Sequence, residues 1–188
     1  METDLASELG TANALAGLLD FDALVDLHRP RIFRFLLASL RDRESAENLT
    51  QECCLRAYKS RDRFRGDASV GTWLMQIAAN LVRSQEANSG LKFWRRTRVH
   101  ADVADLEIWI PDRQRTPEQL ALARQQIRSI WKAAASLSVS QRTVFLLRFV
   151  EDMDLLEIVA VTGMKEGTVK THLFRALQTI RAGLEQSR

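Results

Sequence analysis

The C-terminal segment from residue 155 to residue 180, LLEIVAVTGMKEGTVKTHLFRALQTI, constrains the fold of this chain most strongly. Its pattern predicts two short helices separated by a tight turn at Gly163. Asp154 and Glu157 have the spacing of a capping box that begins the first helix. In a DNA-reading helix-turn-helix the second helix enters the major groove. We predict such a motif here, with an ordinary helical hairpin as the alternative.

The second helix of this segment is predicted to have one buried face and one face available to a partner. Helical spacing places five residues on the buried face: Val169, Leu173, Ala176, Leu177 and Ile180. The opposite face is predicted to carry Thr171, Phe174, Arg175 and Gln178, with Lys170 at its flank. A phenylalanine exposed beside charged and polar side chains is unfavourable in water unless a partner covers it.

The whole chain is predicted to be all-α. Among its 188 residues 46% are hydrophobic, which is enough for packed cores, and three prolines and eight glycines are too few for a turn-rich all-β protein. We predict two small helical domains joined by a flexible linker, the C-terminal domain containing the helix-turn-helix. The predicted bounds are an acidic N-terminal extension at 1–20, a first domain at 21–88, a linker at 89–115 and a second domain at 116–188.

The first domain is predicted to contain three helices. The first starts at Phe21 and includes Pro30, which is expected to bend it. The second starts near Ser45, and the third runs from Val70 to Glu86. The outer face of the second helix is predicted to carry Asn48, Gln51, Glu52 and Leu55. A leucine among polar groups is compatible with a solvated face and also with a protein contact.

The segment between the second and third helices, SRDRFRGDAS, interleaves arginines with an aromatic ring. Arg61, Arg63 and Arg65 could follow a phosphate backbone while Phe64 stacks on an unpaired base, as in single-strand binding proteins. A solvated arginine-rich turn with Phe64 packed inward is an equally good interpretation. The linker is also basic, with Lys92, Arg95, Arg96 and Arg98.

The second domain shows two further helix starts. Thr116 and Gln119 have capping-box spacing, with Pro117 at the first helical position. Ser138 and Gln141 repeat this spacing before a helix predicted from Thr143 to Val150. Together with the helix-turn-helix, these signals predict four helices.

The residue types argue against catalysis, metal binding and membrane insertion. Cys53 and Cys54 are the only cysteines and are adjacent, so a disulfide between them would be strained. Cys53 is predicted to be a small core residue, with redox sensing as the alternative. No histidine has a companion at metal-ligand spacing, and no apolar run reaches the roughly 18 residues of a membrane span. We expect a cytoplasmic protein without cofactor or metal that is not an enzyme.

Several segments, in order, resemble bacterial RNA polymerase sigma factors of the extracytoplasmic-function (ECF) group. The stretch AENLTQE (residues 46–52) resembles the group's polymerase-docking segment. FRGD (64–67), TWL (72–74) and IAAN (77–80) resemble its promoter-melting segment. QRTVFLLR (141–148), Glu157-Ile158 and EGTVK (166–170) resemble its C-terminal domain.

The resemblance implies a transcription initiation factor that binds core RNA polymerase, reads a −35 element as duplex and melts and reads a −10 element. The polymerase-docking residues implied are Glu47, Asn48, Gln51, Glu52 and Leu55. The residues implied for −10 DNA are Arg61, Arg63, Phe64, Arg65, Trp73, Asn80 and Arg83. Those implied for −35 DNA are Gly167, Thr168, Lys170, Thr171, Phe174 and Arg175. An anti-sigma factor is implied as a further partner.

The chain departs from the group's pattern at four positions: Asn48, where Asp is usual, Ser84 and Ala87 at the end of the promoter-melting helix, and Ser138 in place of Pro. Three other functions are possible on the sequence. They are a stand-alone helix-turn-helix activator of the response-regulator class, which the sequence TVKTHL (168–173) also resembles, a polymerase-binding protein that no longer reads promoters, and a thiol redox protein.

Overall fold

A computed structural model describes residues 21–89 and 116–185, and within these ranges the chain forms seven α-helices and no strand. The helices are α1 (Phe21–Leu40), α2 (Arg43–Ser60), α3 (Val70–Ser89), α4 (Pro117–Ala134), α5 (Val139–Phe149), α6 (Leu155–Thr162) and α7 (Glu166–Glu185). A 3-10 helix, Arg61–Arg63, directly follows α2. The predicted all-α fold is confirmed. The acidic extension and the basic linker residues lie outside the described residues.

Helices α1, α2 and α3 pack together in the N-terminal half, residues 21–89. Their contact is made by apolar side chains such as Phe35, Leu36 and Leu74, each at most 1% exposed. Helix α1 continues across Pro30. Cys53 is fully buried on α2, so its predicted place in the core is confirmed.

Each of the three capping boxes predicted from the sequence is present, before α4, α5 and α6. In each box the capping side chain accepts from the backbone N–H three residues on, and that residue's side chain accepts from the capping residue's N–H. The predicted start of α5 at Thr143 is wrong. Ser138 is the N-cap and Gln141 is the third residue of the helix, so α5 begins at Val139.

Two boundaries in the N-terminal half also differ from the prediction. Helix α2 begins at Arg43 rather than near Ser45, because Asp42 is the N-cap and accepts a 2.8 Å hydrogen bond from the Ser45 N–H. Helix α3 extends to Ser89, beyond its predicted end at Glu86. The start of α2 differs by two residues and the end of α3 by three.

Helices α6 and α7 form the predicted helix-turn-helix. Helix α6 ends at Gly163, whose φ of 68° lies in the left-handed region that glycine adopts without steric cost. Val169, Ala176 and Ile180 are buried on α7, as predicted, and α7 packs against α4, α5 and α6. The outward face of α7 remains available to solvent.

The N-terminal half and the C-terminal half, residues 116–185, contact each other directly. Helix α3 packs against α6, and α1 packs against α5. Buried apolar side chains from both halves belong to one continuous cluster. The elements that carry the candidate sites in the two halves are therefore neighbours in space.

Candidate nucleic-acid interface

The outward face of α7 is the clearest candidate for contact with duplex DNA. Phe174 is 61% exposed although it is a large apolar side chain. All six residues predicted for −35 DNA are exposed on α7. Gln178 and the first residue of the helix, Glu166, are exposed as well. The predicted division of α7 into buried and exposed faces is confirmed, while the DNA-binding role of the exposed face stays a prediction.

Local interactions hold some of these polar groups in place. Thr171 Oγ1 donates a 2.8 Å hydrogen bond to the Gly167 carbonyl, so its oxygen remains able to accept another bond. Lys170 Nζ lies 2.5 Å from the Glu166 carboxylate. Because both side chains are about half exposed, this pair adds little stability, and a phosphate can compete for the lysine. A Cβ added at Gly167 would meet nothing within 4 Å, which leaves the start of α7 open to close approach.

The outer face of α2 is a second candidate surface. Glu47, Asn48 and Gln51 are exposed, Glu52 is partly exposed, and Leu55 is 46% exposed. The two carboxylates are held by i,i+4 pairs with Arg43 at 3.0 Å and Arg56 at 2.7 Å. The structure thus places the five predicted docking residues on one accessible face. Their role stays a prediction.

A cleft of about 330 Å³ lies between the arginine-rich segment and α3. Phe64 and Trp73 form one part of its wall, with ring centroids 5.0 Å apart. Its volume falls within the roughly 300–1,000 Å³ of small-molecule sites. Phe64 is half-buried, so it packs inward against Trp73 and also lines a cavity that can receive an aromatic ligand.

The structure brings only part of the predicted −10 set together at this cleft. Arg63, Phe64, Arg65 and Trp73 line it. Arg61 is held elsewhere: its guanidinium lies 4.1 Å from the centroid of the Tyr58 ring and donates to the Tyr58 carbonyl at 2.8 Å.

Asn80 and Arg83 lie further along α3 and do not line the cleft. Arg83 Nη1 donates to Asn80 Oδ1 at 3.2 Å. The other terminal nitrogen of the guanidinium, Nη2, donates to the Thr162 carbonyl in the C-terminal half at 3.3 Å. These two residues therefore form a separate polar group next to α6.

Two residues adjoining these surfaces were not identified from the sequence. Tyr58 is 51% exposed and lies three residues after Leu55, so helical spacing alone would have placed it beside the α2 face. Gln76 lines the cleft and precedes Asn80 by one helical turn.

The two thiols are not exposed reactive groups. Burial raises the pKa of Cys53 to about 12, and its Sγ lies 3.6 Å from the Leu74 carbonyl as a weak donor. Burial also raises the pKa of Cys54, which is partly buried. Raised thiol pKa values oppose nucleophilic and redox chemistry. Within the described ranges, no cluster of three potential metal ligands occurs.

Comparison with protein families identifies both halves. Residues 24–89 match the family described as Sigma-70 region 2, and residues 127–180 match the family described as Sigma-70, region 4. None of the helices in the described ranges has the length and apolar character needed to cross a membrane.

Full-length relatives agree with these matches. The ECF RNA polymerase sigma factor SigX of Bacillus subtilis is 27% identical over 169 residues, 88% of this chain and 84% of the relative. The RNA polymerase sigma-H factor of Pseudomonas aeruginosa is 28% identical over 171 residues, 88% of this chain and 86% of the relative.

Solved structures share the fold. The sigma factor RpoE from Bartonella quintana, determined with the anti-sigma factor NepR, matches with a TM-score of 0.65 and 22% identity. That match covers 90% of this chain and 99% of RpoE. CnrH, determined with the cytosolic domain of CnrY, matches with a TM-score of 0.64 and 20% identity over 96% of this chain and 97% of CnrH.

Proposed function

The chain belongs to the ECF group of RNA polymerase sigma factors, and we propose that it directs core polymerase by reading −35 duplex through α7 and capturing single-stranded −10 DNA through its N-terminal half. The observation that carries this proposal is the exposed Phe174, placed on α7 among Lys170, Thr171 and Arg175. Burial of the Phe174 ring in a DNA groove contributes favourable free energy because it removes apolar surface from water. The positive charges of Lys170 and Arg175 compensate the negative charge of the phosphates.

At the −35 element, α7 enters the major groove. Arg175 forms a bidentate contact to a guanine edge, which contributes roughly 1–3 kcal/mol of discrimination against other bases. Phe174 packs against a thymine methyl or a sugar. Thr171 Oγ1, which donates to the Gly167 carbonyl, accepts one hydrogen bond from the DNA. The Gly167 N–H binds a backbone phosphate at the helix N-terminus. The Thr168 N–H donates to the Lys165 carbonyl at 2.9 Å, so Thr168 contacts the DNA through its exposed side chain.

At the −10 element, an unpaired base enters the cleft beside Phe64 and Trp73. Stacking on an aromatic ring contributes about 1–3 kcal/mol per base, which offsets the cost of taking the base out of the duplex. Arg63 and Arg65 line the same cleft and hold the flanking phosphates. Outside the cleft, the DNA strand contacts Arg61, Asn80 and Arg83.

Core polymerase binds the outer face of α2, where Leu55 is surrounded by Asn48, Gln51 and the carboxylates of Glu47 and Glu52. The chain itself supplies no chemistry in this scheme, and catalysis belongs to the polymerase. Because bacterial transcription is cytoplasmic, the proposal places the chain in the cytoplasm. An anti-sigma factor is proposed as a further partner, by analogy with RpoE, whose structure was determined with the anti-sigma factor NepR.

The proposal is tested at α7 by Arg175→Ala, with binding measured to a selected −35 duplex and to duplex of random sequence at the same salt. We expect affinity for the selected duplex to fall about 5–100-fold, corresponding to roughly 1–3 kcal/mol, with a much smaller loss on random duplex. Arg181→Ala is the matched control, because Arg181 is an exposed arginine on α7 beyond the proposed reading face. Equal loss on both duplexes would contradict base reading by Arg175.

A further inference from the structure

Gln178 lies at the centre of the outward face of α7. The buried residues of this helix are Val169, Ala176 and Ile180. At about 100° per residue, these three side chains leave the helix in nearly one direction. Gln178 leaves it about 180° away from that direction, and it is exposed. No other residue of α7 points more directly away from the core of the C-terminal half.

Gln178 continues the row of residues that we propose for −35 DNA. Thr171, Phe174, Arg175 and Gln178 have the spacing i, i+3, i+4 and i+7, and all four are exposed. The recognition helix of a homeodomain contacts the major groove with residues at this same spacing. The rise from Thr171 to Gln178 is about 10.5 Å, which corresponds to about three base pairs of B-DNA. A helix lying along the groove therefore presents Gln178 to a base about three pairs from the one that faces Thr171.

The Gln178 amide is available for a contact with DNA. Among the residues that the structure describes, no hydrogen bond or ion pair occupies this amide. The hydroxyl of Thr171, by contrast, already donates to the Gly167 carbonyl at 2.8 Å. From residue 170 to residue 181, α7 carries no acidic side chain, so no carboxylate on this stretch repels the phosphates.

The chemistry of the amide selects adenine among the four bases. A glutamine side chain offers a carbonyl acceptor and N–H donors in one plane. In the major groove adenine offers the N7 acceptor beside the N6 donor, so its edge pairs with both groups of the amide at once. Guanine presents two acceptors, N7 and O6, and would place O6 against the amide carbonyl. Thymine presents only the O4 acceptor beside a methyl group, and cytosine presents only the N4 donor.

We propose that Gln178 is a specificity-determining residue that reads one adenine of the −35 duplex. Its amide nitrogen donates to adenine N7, and its carbonyl oxygen accepts from adenine N6. This proposal rests on the proposed function of α7, and it adds a fourth base-contacting side chain to Thr171, Phe174 and Arg175.

The test is a selection of bound sequences from a pool of duplex DNA with a randomised window. The full chain is assembled with bacterial core RNA polymerase as wild type, Gln178→Ala and Thr171→Ala, and the bound duplexes are sequenced. We expect the wild type to prefer adenine at one position, and Gln178→Ala to lower that preference about 5–100-fold while other positions keep theirs. The affected position should lie about three base pairs from the one altered by Thr171→Ala.

Thr179→Ala is the matched control for the selection. Thr179 is the neighbour of Gln178, and its hydroxyl donates to the Arg175 carbonyl within α7 at 3.0 Å. We expect Thr179→Ala to select the same sequences as the wild type. Because Gln178 is exposed and alanine is a good helix former, Gln178→Ala should retain the helicity of the wild type in circular dichroism.

A second measurement addresses the proposed hydrogen bond to N7. The selected adenine is replaced by 7-deazaadenine, in which a C–H group takes the place of the N7 acceptor. We expect the affinity of the wild-type complex to fall about fivefold, the effect of losing one hydrogen bond, and that of the Gln178→Ala complex to stay the same. An unchanged affinity of the wild type would overturn the contact to N7.

The selection itself has two outcomes that would overturn base reading by Gln178. One is that Gln178→Ala and the wild type select the same sequences. The other is that Gln178→Ala binds all duplexes more weakly by the same factor, which indicates a phosphate contact. Failure of the proposed function would look different and would remove both proposals, because the wild-type chain would then not assemble with core polymerase or would bind all duplexes equally.

Discussion

At the residue scale, two of the exposed apolar side chains in the described ranges fall within the candidate surfaces. Phe174 on α7 and Leu55 on α2 are 61% and 46% exposed. Phe174 is bordered by Lys170, Thr171 and Arg175, and Leu55 is bordered by amide and carboxylate groups and by Tyr58. An isolated ring or leucine of this kind contributes to binding when a partner removes it from water, with the polar groups fixing orientation.

The two cysteines give a residue-scale prediction against the redox alternative. With a pKa of about 12, Cys53 has a thiolate fraction at pH 8 of only roughly one in ten thousand. We expect iodoacetamide at pH 8 to leave Cys53 unmodified in the folded protein and to label Cys54 slowly, as judged by mass spectrometry of peptides. Both should react promptly in guanidinium chloride. Rapid labelling of Cys53 in the folded protein would restore the redox interpretation.

Single side chains were predictable from the sequence where helical spacing decides their position. The exposed and buried faces of α7 follow from its period, and so does the burial of Cys53 beside Ala46, Thr50 and Ala57. The inward packing of Phe64 on Trp73 was left open, because a residue in an irregular segment has no period that fixes its direction.

At the element scale, short-range hydrogen bonds determine where the helices begin. Asp154, Ser138 and Thr116 each satisfy a backbone N–H that the helix leaves unpaired, and each was identifiable from the residue three positions later. The start of α5 was misplaced because apolar periodicity becomes visible only after the capping residues. The Asp42 cap of α2 lacks a Glu or Gln at the third helical position, so it carries no capping-box signature.

The turn of the helix-turn-helix gives an element-scale prediction. Gly163 has a φ of 68° and an added Cβ would meet nothing within 4 Å, so the cost of Gly163→Ala is backbone strain alone. We expect a loss of about 1–2 kcal/mol in the free energy of unfolding, measured in urea. Gly167→Ala is the matched control, since Gly167 also has open space around its Cα but a helical backbone.

For Gly167→Ala we expect the free energy of unfolding to increase by roughly 0.5–1 kcal/mol, because alanine loses less backbone entropy than glycine in a helix. Destabilisation by both substitutions to a similar extent would show that the left-handed turn is not the source of the effect.

At the scale of the whole molecule, a continuous buried apolar cluster and ion pairs between distant parts of the chain join the halves. Glu151 and Arg31 are 120 residues apart in sequence, and Arg142 and Glu86 are 56 apart. No periodicity or capping pattern relates such residues, so the sequence predicted the two helical regions but not their contact. The contacts of the Glu151 carboxylate with Arg31 and Arg34, at 2.8–3.1 Å, are seen only in the three-dimensional structure.

The Arg142–Glu86 pair gives a whole-molecule prediction. Arg142→Ala removes the guanidinium facing a buried carboxylate, and we expect a loss of about 3–5 kcal/mol in the free energy of unfolding. The double variant Arg142→Met/Glu86→Leu replaces both charges by apolar groups and should be within about 1 kcal/mol of the wild type, or more stable. Urea unfolding measures both. If Arg142→Ala lowered the free energy of unfolding by less than about 1 kcal/mol, the buried charge of Glu86 would be compensated by groups other than Arg142.

The central claim is that this chain delivers core RNA polymerase to promoters, and its most direct test is a fluorescence-anisotropy titration against bacterial core polymerase. Gln51→Ala/Leu55→Arg alters the exposed α2 face, and Lys59→Ala serves as the control, since Lys59 is an exposed α2 residue outside the proposed docking set. We predict tight binding by the wild type and by Lys59→Ala, and its loss in the double variant. A folded wild-type chain, free of any inhibitor, that did not bind core polymerase would contradict the account.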